Sequence, residues 1–230
     1  MIYCHFGLEP AAKVMEELGI SIPCENRSIS AKKLKYVFPE DELRRALKFL
    51  GLDSVRNSHL IHEALTHASC GICTMAGISS YEKLEWYGDA ILCLVVRDWL
   101  YNTFPTVEVG SLNLLETALV NNETLSYIAI RGRLHDVIRY KSKMLKSKVH
   151  DFESHLQQNG SLWGGNAPKI LADVVEALIG AVHLDSGWEL SRKTVLHILD
   201  PLLRVIKTII SDGGEIEQAV FWAMNPTEKL

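Results

Sequence analysis

The chain has 230 residues, 47% of them hydrophobic and 23% charged, with a formal net charge of −4 and a pI of about 6.1. That is an ordinary globular balance, enough for one sizeable domain or a domain with an appendage. It argues against a globally basic nucleic-acid binder, and no apolar run nears the length of a membrane span, Ala90–Val96 being among the longest at seven residues.

The N-terminus has no basic region followed by an apolar core, so no secretory signal is expected. Glu9, Glu16, Glu17 and Glu25 make the first 25 residues too acidic for a typical organelle presequence. Five cysteines (Cys4, Cys24, Cys70, Cys73, Cys93) without small-domain spacing point to reduced thiols inside the cell. The expected compartment is cytoplasm or nucleus, with an organelle left open.

Residues 1–35 read as an appendage and linker. Pro10–Leu18 has the pattern of a short amphipathic helix closed by Gly19, and Ser21–Lys35 is polar. Helical signals dominate from Pro39 to about residue 210. Pro39–Leu50 carries acids in its first turn and a Gly51 stop. Asn57–His67 places Leu60, Ile61, Ala64 and Leu65 on one side. His67-x-x-Cys70-x-x-Cys73 has zinc-like spacing but no fourth ligand nearby, so packing cysteines are the expectation. Cys70–Ser80 reads as a loop.

A long apolar helix then begins at Tyr81, with Ser80 as expected N-cap, and runs to about Tyr101 before Pro105. Glu85 and Asp89 are four apart on it, which puts both carboxylates on one face about 6 Å apart along the axis. Like charges so placed repel, and the pair is either solvated or one half of a metal site.

Ser111–Ala129 reads as one helix with Asn121 and Asn122 in its middle. A poor helix former there suggests a polar role, whether in supporting neighbouring helices, contacting a ligand or making a buried hydrogen bond. Arg131–Lys148 carries seven basic residues against the single acid Asp136, a local charge of +6. That is either a solvated helix face or a phosphate-tracking surface. A Gly- and Asn-rich loop over Gln157–Ala167 precedes a second apolar helix, Pro168–Asp185. On it Asp173 and Glu176 share a face. Two apolar helices with two acids each could pool four carboxylates around divalent cations, and hard oxygen ligands suit Mg²⁺. Trp188–Ile210 is a final helical region that Pro201 is expected to interrupt or bend. Residues 211–230 read as a tail with one apolar cluster, Ala219–Met224, expected either to cap the core or to contact a partner. No stretch alternates with period two, so the fold class is all-α.

The motifs carry a resemblance. Glu82–Leu92 (EKLEWYGDAIL) resembles the signature of the ribonuclease III family, and Ala172–Gly187 resembles its second acidic motif. Leu65-Thr-His-Ala-Ser69 looks like its Thr-His-x-Ser element, and Ser111–Leu125 is similar to the segment between the acidic motifs. The longer inter-motif segment and its Pro168-Lys169 ending resemble Dicer-type domains rather than bacterial ones.

This resemblance implies a Mg²⁺-dependent endonuclease for double-stranded RNA, with Mn²⁺ a possible substitute. Glu85, Asp89, Asp173 and Glu176 would be its metal and catalytic acids, and Lys169 a catalytic helper at a phosphate or carboxylate. It implies a pair of nuclease domains, a homodimer or a pairing with a related domain, giving products with short 3′ overhangs. Trp86 and Tyr87 are placed at that interface, the alternative being the protomer core. Asn121, Asn122, Arg139, Lys141, Lys143, Lys146 and Lys148 are the expected RNA contacts. No double-stranded-RNA-binding domain is found after the last helix, so either a separate partner supplies RNA binding or the dimer surface suffices. The rival readings are a non-catalytic subunit of an RNA-processing or ribosomal assembly, and a metal-dependent hydrolase acting on nucleotides.

Overall fold

The computed structural model describes residues 39–70, 79–159 and 165–224. Among them are nine α-helices, one 3₁₀ turn and no β-strand, as the absence of period-two patterning predicts. None of these helices is long and apolar enough to cross a membrane. Residues 1–35, with the expected first helix, and Cys73 lie outside the described residues.

Helix α1 (Glu40–Leu50) has Glu40, Asp41 and Glu42 at its positive end. It closes on Gly51 at φ +69°, with Leu52 N–H donating to Leu47 O at 2.9 Å. The left-handed backbone there favours glycine. Helix α2 (Ser58–Ala64) is capped by Asn57, whose side chain accepts the His59 N–H.

Helix α3 (Glu82–Thr103) starts one residue later than the sequence suggests. Tyr81 holds the cap position, and Ser80 instead donates to the Glu82 carboxylate at 2.9 Å. The helix crosses α7 (Lys169–Ser186), which is buried along nearly its whole length and forms the axis of the core. Pro168 caps α7 from outside the helix. At the far end of α7, Asp185 accepts the backbone N–H groups of Arg56 and Asn57, at 3.0 and 2.6 Å, and so ties that end to the start of α2.

The helix expected over Ser111–Ala129 is two helices, α4 (Val109–Val120) and α5 (Asn122–Arg131). Asn121 between them is extended (ψ 158°) and serves both ends. Its amide donates to Thr117 O and Ala118 O, while its oxygen accepts Thr124 N–H at 2.8 Å. The basic stretch is not one helix either. A 3₁₀ turn at Leu134–Asp136 and an extended segment precede α6 (Lys143–Asn159).

Helix α8 (Trp188–Ser211) passes Pro201 unbroken. Pro201 is exposed, while Val195, Ile198, Leu199, Leu202, Leu203 and Ile206 are buried around it. Burying six aliphatic side chains outweighs the roughly 3 kcal/mol that an interior proline costs. Helix α9 (Ile216–Met224) buries Ala219 and Ala223 in the main core cluster. The apolar cluster of the C-terminal stretch thus packs as a helix on the core, the first of the two roles expected for it.

Candidate metal centre and nucleic-acid surface

The crossing of α3 and α7 is set by two glycines. A Cβ on Gly88 would lie 1.8 Å from the carbonyl oxygen of Glu176, and one on Gly180 would lie 2.4 Å from that of Leu84. Only hydrogen at both positions lets the backbones approach this closely. Gly88 is flanked by the acids of α3 and faces the Glu176 backbone, so the close approach also decides where the carboxylates meet. Gly180 is inside the second motif, but nothing in its local sequence distinguishes it from a packing glycine.

Glu85, Asp173 and Glu176 converge there, each offering an oxygen within 4.8 Å of the others'. Asp173 and Glu176 are only 6% and 8% exposed. Burial, then the charges of Asp89, Asp173 and Glu85, push the Glu176 carboxyl up to about 8, with Lys169 opposing. Asp89 is exposed and outside the converging trio, yet it has the strongest influence of the charges acting on Glu176. Its Oδ1 accepts a 3.7 Å contact from the Cys93 thiol.

The Lys169 ammonium donates to Glu85 Oε1 at 2.7 Å and also to Asp173 Oδ1. Burial works against its charge, but the hydrogen bonds and charges of Asp173 and Glu85 prevail and raise its pKa. Its side chain is 63% exposed. A further group, absent from the sequence-based expectation, completes the site: the buried Tyr81 hydroxyl donates to Asp173 Oδ2 at 3.1 Å. Burial and the neighbouring acids keep that phenol protonated far above its ordinary range. The bond joins residues 92 apart in the chain, so no local signal reveals it. An all-carboxylate oxygen set, two of its three members buried and with Lys169 as its neighbouring cation, fits a hard divalent cation.

The segment Leu65–Ser69 braces this site against the basic stretch. Thr66 O accepts the Tyr81 N–H at 2.9 Å, and the Tyr81 ring lies 5.7 Å from that of His67. His67 N–H donates to Arg139 O, and Arg139 N–H to Leu65 O, forming an isolated bridge. Ser69 Oγ pairs with His67 Nδ1 at 2.9 Å and accepts the Lys141 N–H at 3.1 Å.

The expected RNA contacts separate into two groups. Lys141, Lys143, Lys146 and Lys148 are exposed, as is Asn122. Arg139 is a correction: its side chain is 9% exposed and gives two bonds to Glu42 Oε2, at 2.6 and 2.9 Å, and others to His62 and Thr66. It holds α1 to α2 and is not offered to a ligand. The amide of Asn121 is occupied by the two helix ends. Lys148 shares an open cavity of about 900 Å³ with Lys169, Asp173, Tyr81 and His67. The aromatic pair also divides. Trp86 is 79% exposed, whereas the Tyr87 ring packs within the protomer, 5.6 Å from His183 and against the core.

The model of the ribonuclease III domain matches residues 82–187. The Endoribonuclease Dicer homolog 1 of Arabidopsis thaliana is 30% identical over 90% of this chain. This chain spans only 11% of that protein's length. Ribonuclease 3 of a Shewanella species is 37% identical over 69% of this chain and 61% of its own, so the likeness to Dicer is longer but not exclusive. The solved nuclease domain of ribonuclease III from Campylobacter jejuni superposes with a TM-score of 0.53 at 30% identity. The match covers 69% of this chain and 96% of that one. The matching family model and these likenesses, together with two acidic helices crossing at paired glycines, lead to one conclusion: the chain belongs to the ribonuclease III family.

Proposed function

We propose that this chain is a Mg²⁺-dependent endoribonuclease domain that cleaves double-stranded RNA, working as one of a pair. The observation that carries the reading is the convergence of Glu85, Asp173 and Glu176 within 4.8 Å. A purely structural role would gain nothing from crowding three acids, two of them buried, since buried carboxylates lose hydration and like charges repel.

Glu85, Asp89, Asp173 and Glu176 are the residues that would hold Mg²⁺, with Mn²⁺ as a substitute. The chemistry the ion supplies when bound is a lower pKa for the attacking water and offset charge on the scissile phosphate and the leaving 3′ oxygen. Glu176 must give up its proton to serve as a ligand, so binding is linked to pH. Lys169 neutralises part of the acid cluster, and its exposed ammonium can also pair with a phosphate of the substrate. Lys141, Lys143, Lys146 and Lys148 supply a sequence-independent attraction for the phosphate backbone. Lys148 carries that attraction to the cavity beside Asp173.

One acid cluster cuts one strand, so double-strand cleavage needs two domains, either two copies of this chain or one copy and a related domain. The outward face of α3 supports such pairing: Trp86, Leu94 and Tyr101 are spaced along it, 79%, 53% and 74% exposed. Cuts offset across the two strands would leave short 3′ overhangs. The exposed lysines suffice for weak RNA binding, and a double-stranded-RNA-binding partner is the expected aid to tight binding.

The test is incubation of the protein with long double-stranded RNA and Mg²⁺, beside an Asp89→Asn, Glu176→Gln variant. Cutting by the native form alone is the expected result. Binding without cutting would instead mark a non-catalytic subunit of an assembly, and hydrolysis of free nucleotides a different hydrolase. Sedimentation of the purified chain, alone and with RNA, reads the pairing.

A further inference from the structure

The Thr-His-x-Ser element and Tyr81 have no part in the chemistry outlined above, yet they form a continuous connection from the acid cluster to the basic stretch. We infer that Tyr81 is a positioning residue for Asp173, and that the Leu65–Ser69 element holds Tyr81 in place for that purpose. This rests on the metal-site reading given under Proposed function.

Asp173 has two carboxylate oxygens and they face different partners. Oδ1 takes the Lys169 ammonium, and Oδ2 takes the Tyr81 hydroxyl at 3.1 Å. Lys169 is mostly exposed on a long, flexible stem, so it fixes Asp173 only loosely. Tyr81 is 4% exposed, and both of its ends are fixed. Its N–H is bound by Thr66 O at 2.9 Å, its ring rests against His67, and it sits directly before α3, which carries Glu85. One residue therefore sets the start of the helix bearing one acid and the orientation of a second acid on the other helix. A ligating carboxylate oriented by an outer hydrogen bond loses rotational freedom before it binds, and removing such partners commonly costs 10–100-fold in metal affinity.

The brace extends further. Thr66 Oγ1 accepts from Arg139 at 3.1 Å, and Ser69 Oγ accepts the Lys141 N–H, so the same element fixes the root of the lysine-bearing segment. The element and Tyr81 together hold the cation-binding carboxylate and the phosphate-tracking surface in one register.

Tyr81→Phe tests the claim because it removes the hydroxyl and keeps the ring on His67. The measurements are Mg²⁺ binding by calorimetry, the KM for double-stranded RNA and the melting temperature. The expected result is about tenfold weaker Mg²⁺ binding, with a matching rise in the Mg²⁺ needed for half-maximal cleavage. KM at saturating Mg²⁺ should be unchanged. Ser69→Ala, measured beside it, removes the acceptor of the Lys141 N–H but leaves the Thr66 carbonyl that binds Tyr81, so it should weaken RNA binding more than Mg²⁺ binding. Native Mg²⁺ affinity in a folded Tyr81→Phe protein overturns the inference and leaves the nuclease reading intact. Equal losses of Mg²⁺ and RNA binding in both variants, with a lowered melting temperature, also overturn it, because they mark a merely structural contact. Failure of the native chain to bind Mg²⁺ overturns the inference together with the metal-site reading.

Discussion

The acidic crossing and the basic stretch from Arg131 to Lys148 both concentrate charge, but they place it in opposite ways. At the crossing, Asp173 and Glu176 are buried, and their positions follow from two apolar helices meeting at Gly88 and Gly180. Along the basic stretch the lysines project into solvent from α6 and the segment before it, while Arg139 is drawn inside. Buried charge is fixed by packing and is costly to disturb. Exposed charge acts through its number and its field, so single members are dispensable. A substitution should therefore have consequences that follow burial more closely than charge.

The largest effect should come from a residue with no charge. Gly88→Ala forces a methyl group against the Glu176 carbonyl and must separate α3 from α7. We expect a loss of about 3 kcal/mol, at the top of the usual range for overpacking, together with loss of Mg²⁺ binding. Thermal melting and calorimetry would read both. Unchanged melting would show that the crossing tolerates separation and that its tightness does not fix the acids.

Next comes the pH dependence of the metal-free protein. Glu176 has an ordinary pKa of 4.5 that the fold raises to about 8. The folded state thus binds this proton more tightly than the unfolded state does. Stability should fall as pH rises from about 5 to 8, and Mg²⁺ should restore it at the upper end. Glu176→Gln should flatten that slope while abolishing cleavage. Melting curves at pH 5.5 and 8, with and without Mg²⁺, give the sign directly.

Three polar residues sharpen the contrast at smaller scale. Arg139→Ala leaves Glu42 without its guanidinium and should destabilise the fold by about 2 kcal/mol. Asn121→Ala should cost about 1 kcal/mol for a lost helix cap, with RNA affinity unchanged. A clear loss of RNA affinity in that variant would return Asn121 to the binding surface. The smallest effect on the fold is expected from Lys146→Ala. It should leave the melting temperature where it is, weaken RNA binding uniformly across sequences and reduce the salt slope by about 1.

What can be read from the sequence follows the range over which each feature acts. The all-α class and both acidic helices follow from local periodicity, and the structure has them; of the acids spaced on them, Asp89 lies outside the converging trio. The meeting of Glu85 with Asp173 and Glu176 follows from the family resemblance, because no spacing rule joins residues so far apart. The break at Asn121 is hidden because an asparagine within an apolar pattern gives the same local signal whether it interrupts a helix or caps two. Arg139 looks like its basic neighbours in sequence, and the distant Glu42 and His62 remove it from their surface. Tyr81 is hidden for the same reason, since its partner lies on α7. A proline at position 201 suggests a disturbed α8, and the buried aliphatic residues around it keep the helix whole.

The central claim is that the crossing of α3 and α7 creates one shared cation site. Anomalous diffraction from crystals of the protein grown with Mn²⁺ tests it most directly. The account predicts a peak among the carboxylates of Glu85, Asp173 and Glu176. Crystals that hold Mn²⁺ elsewhere, with no peak among those three carboxylates, would contradict it.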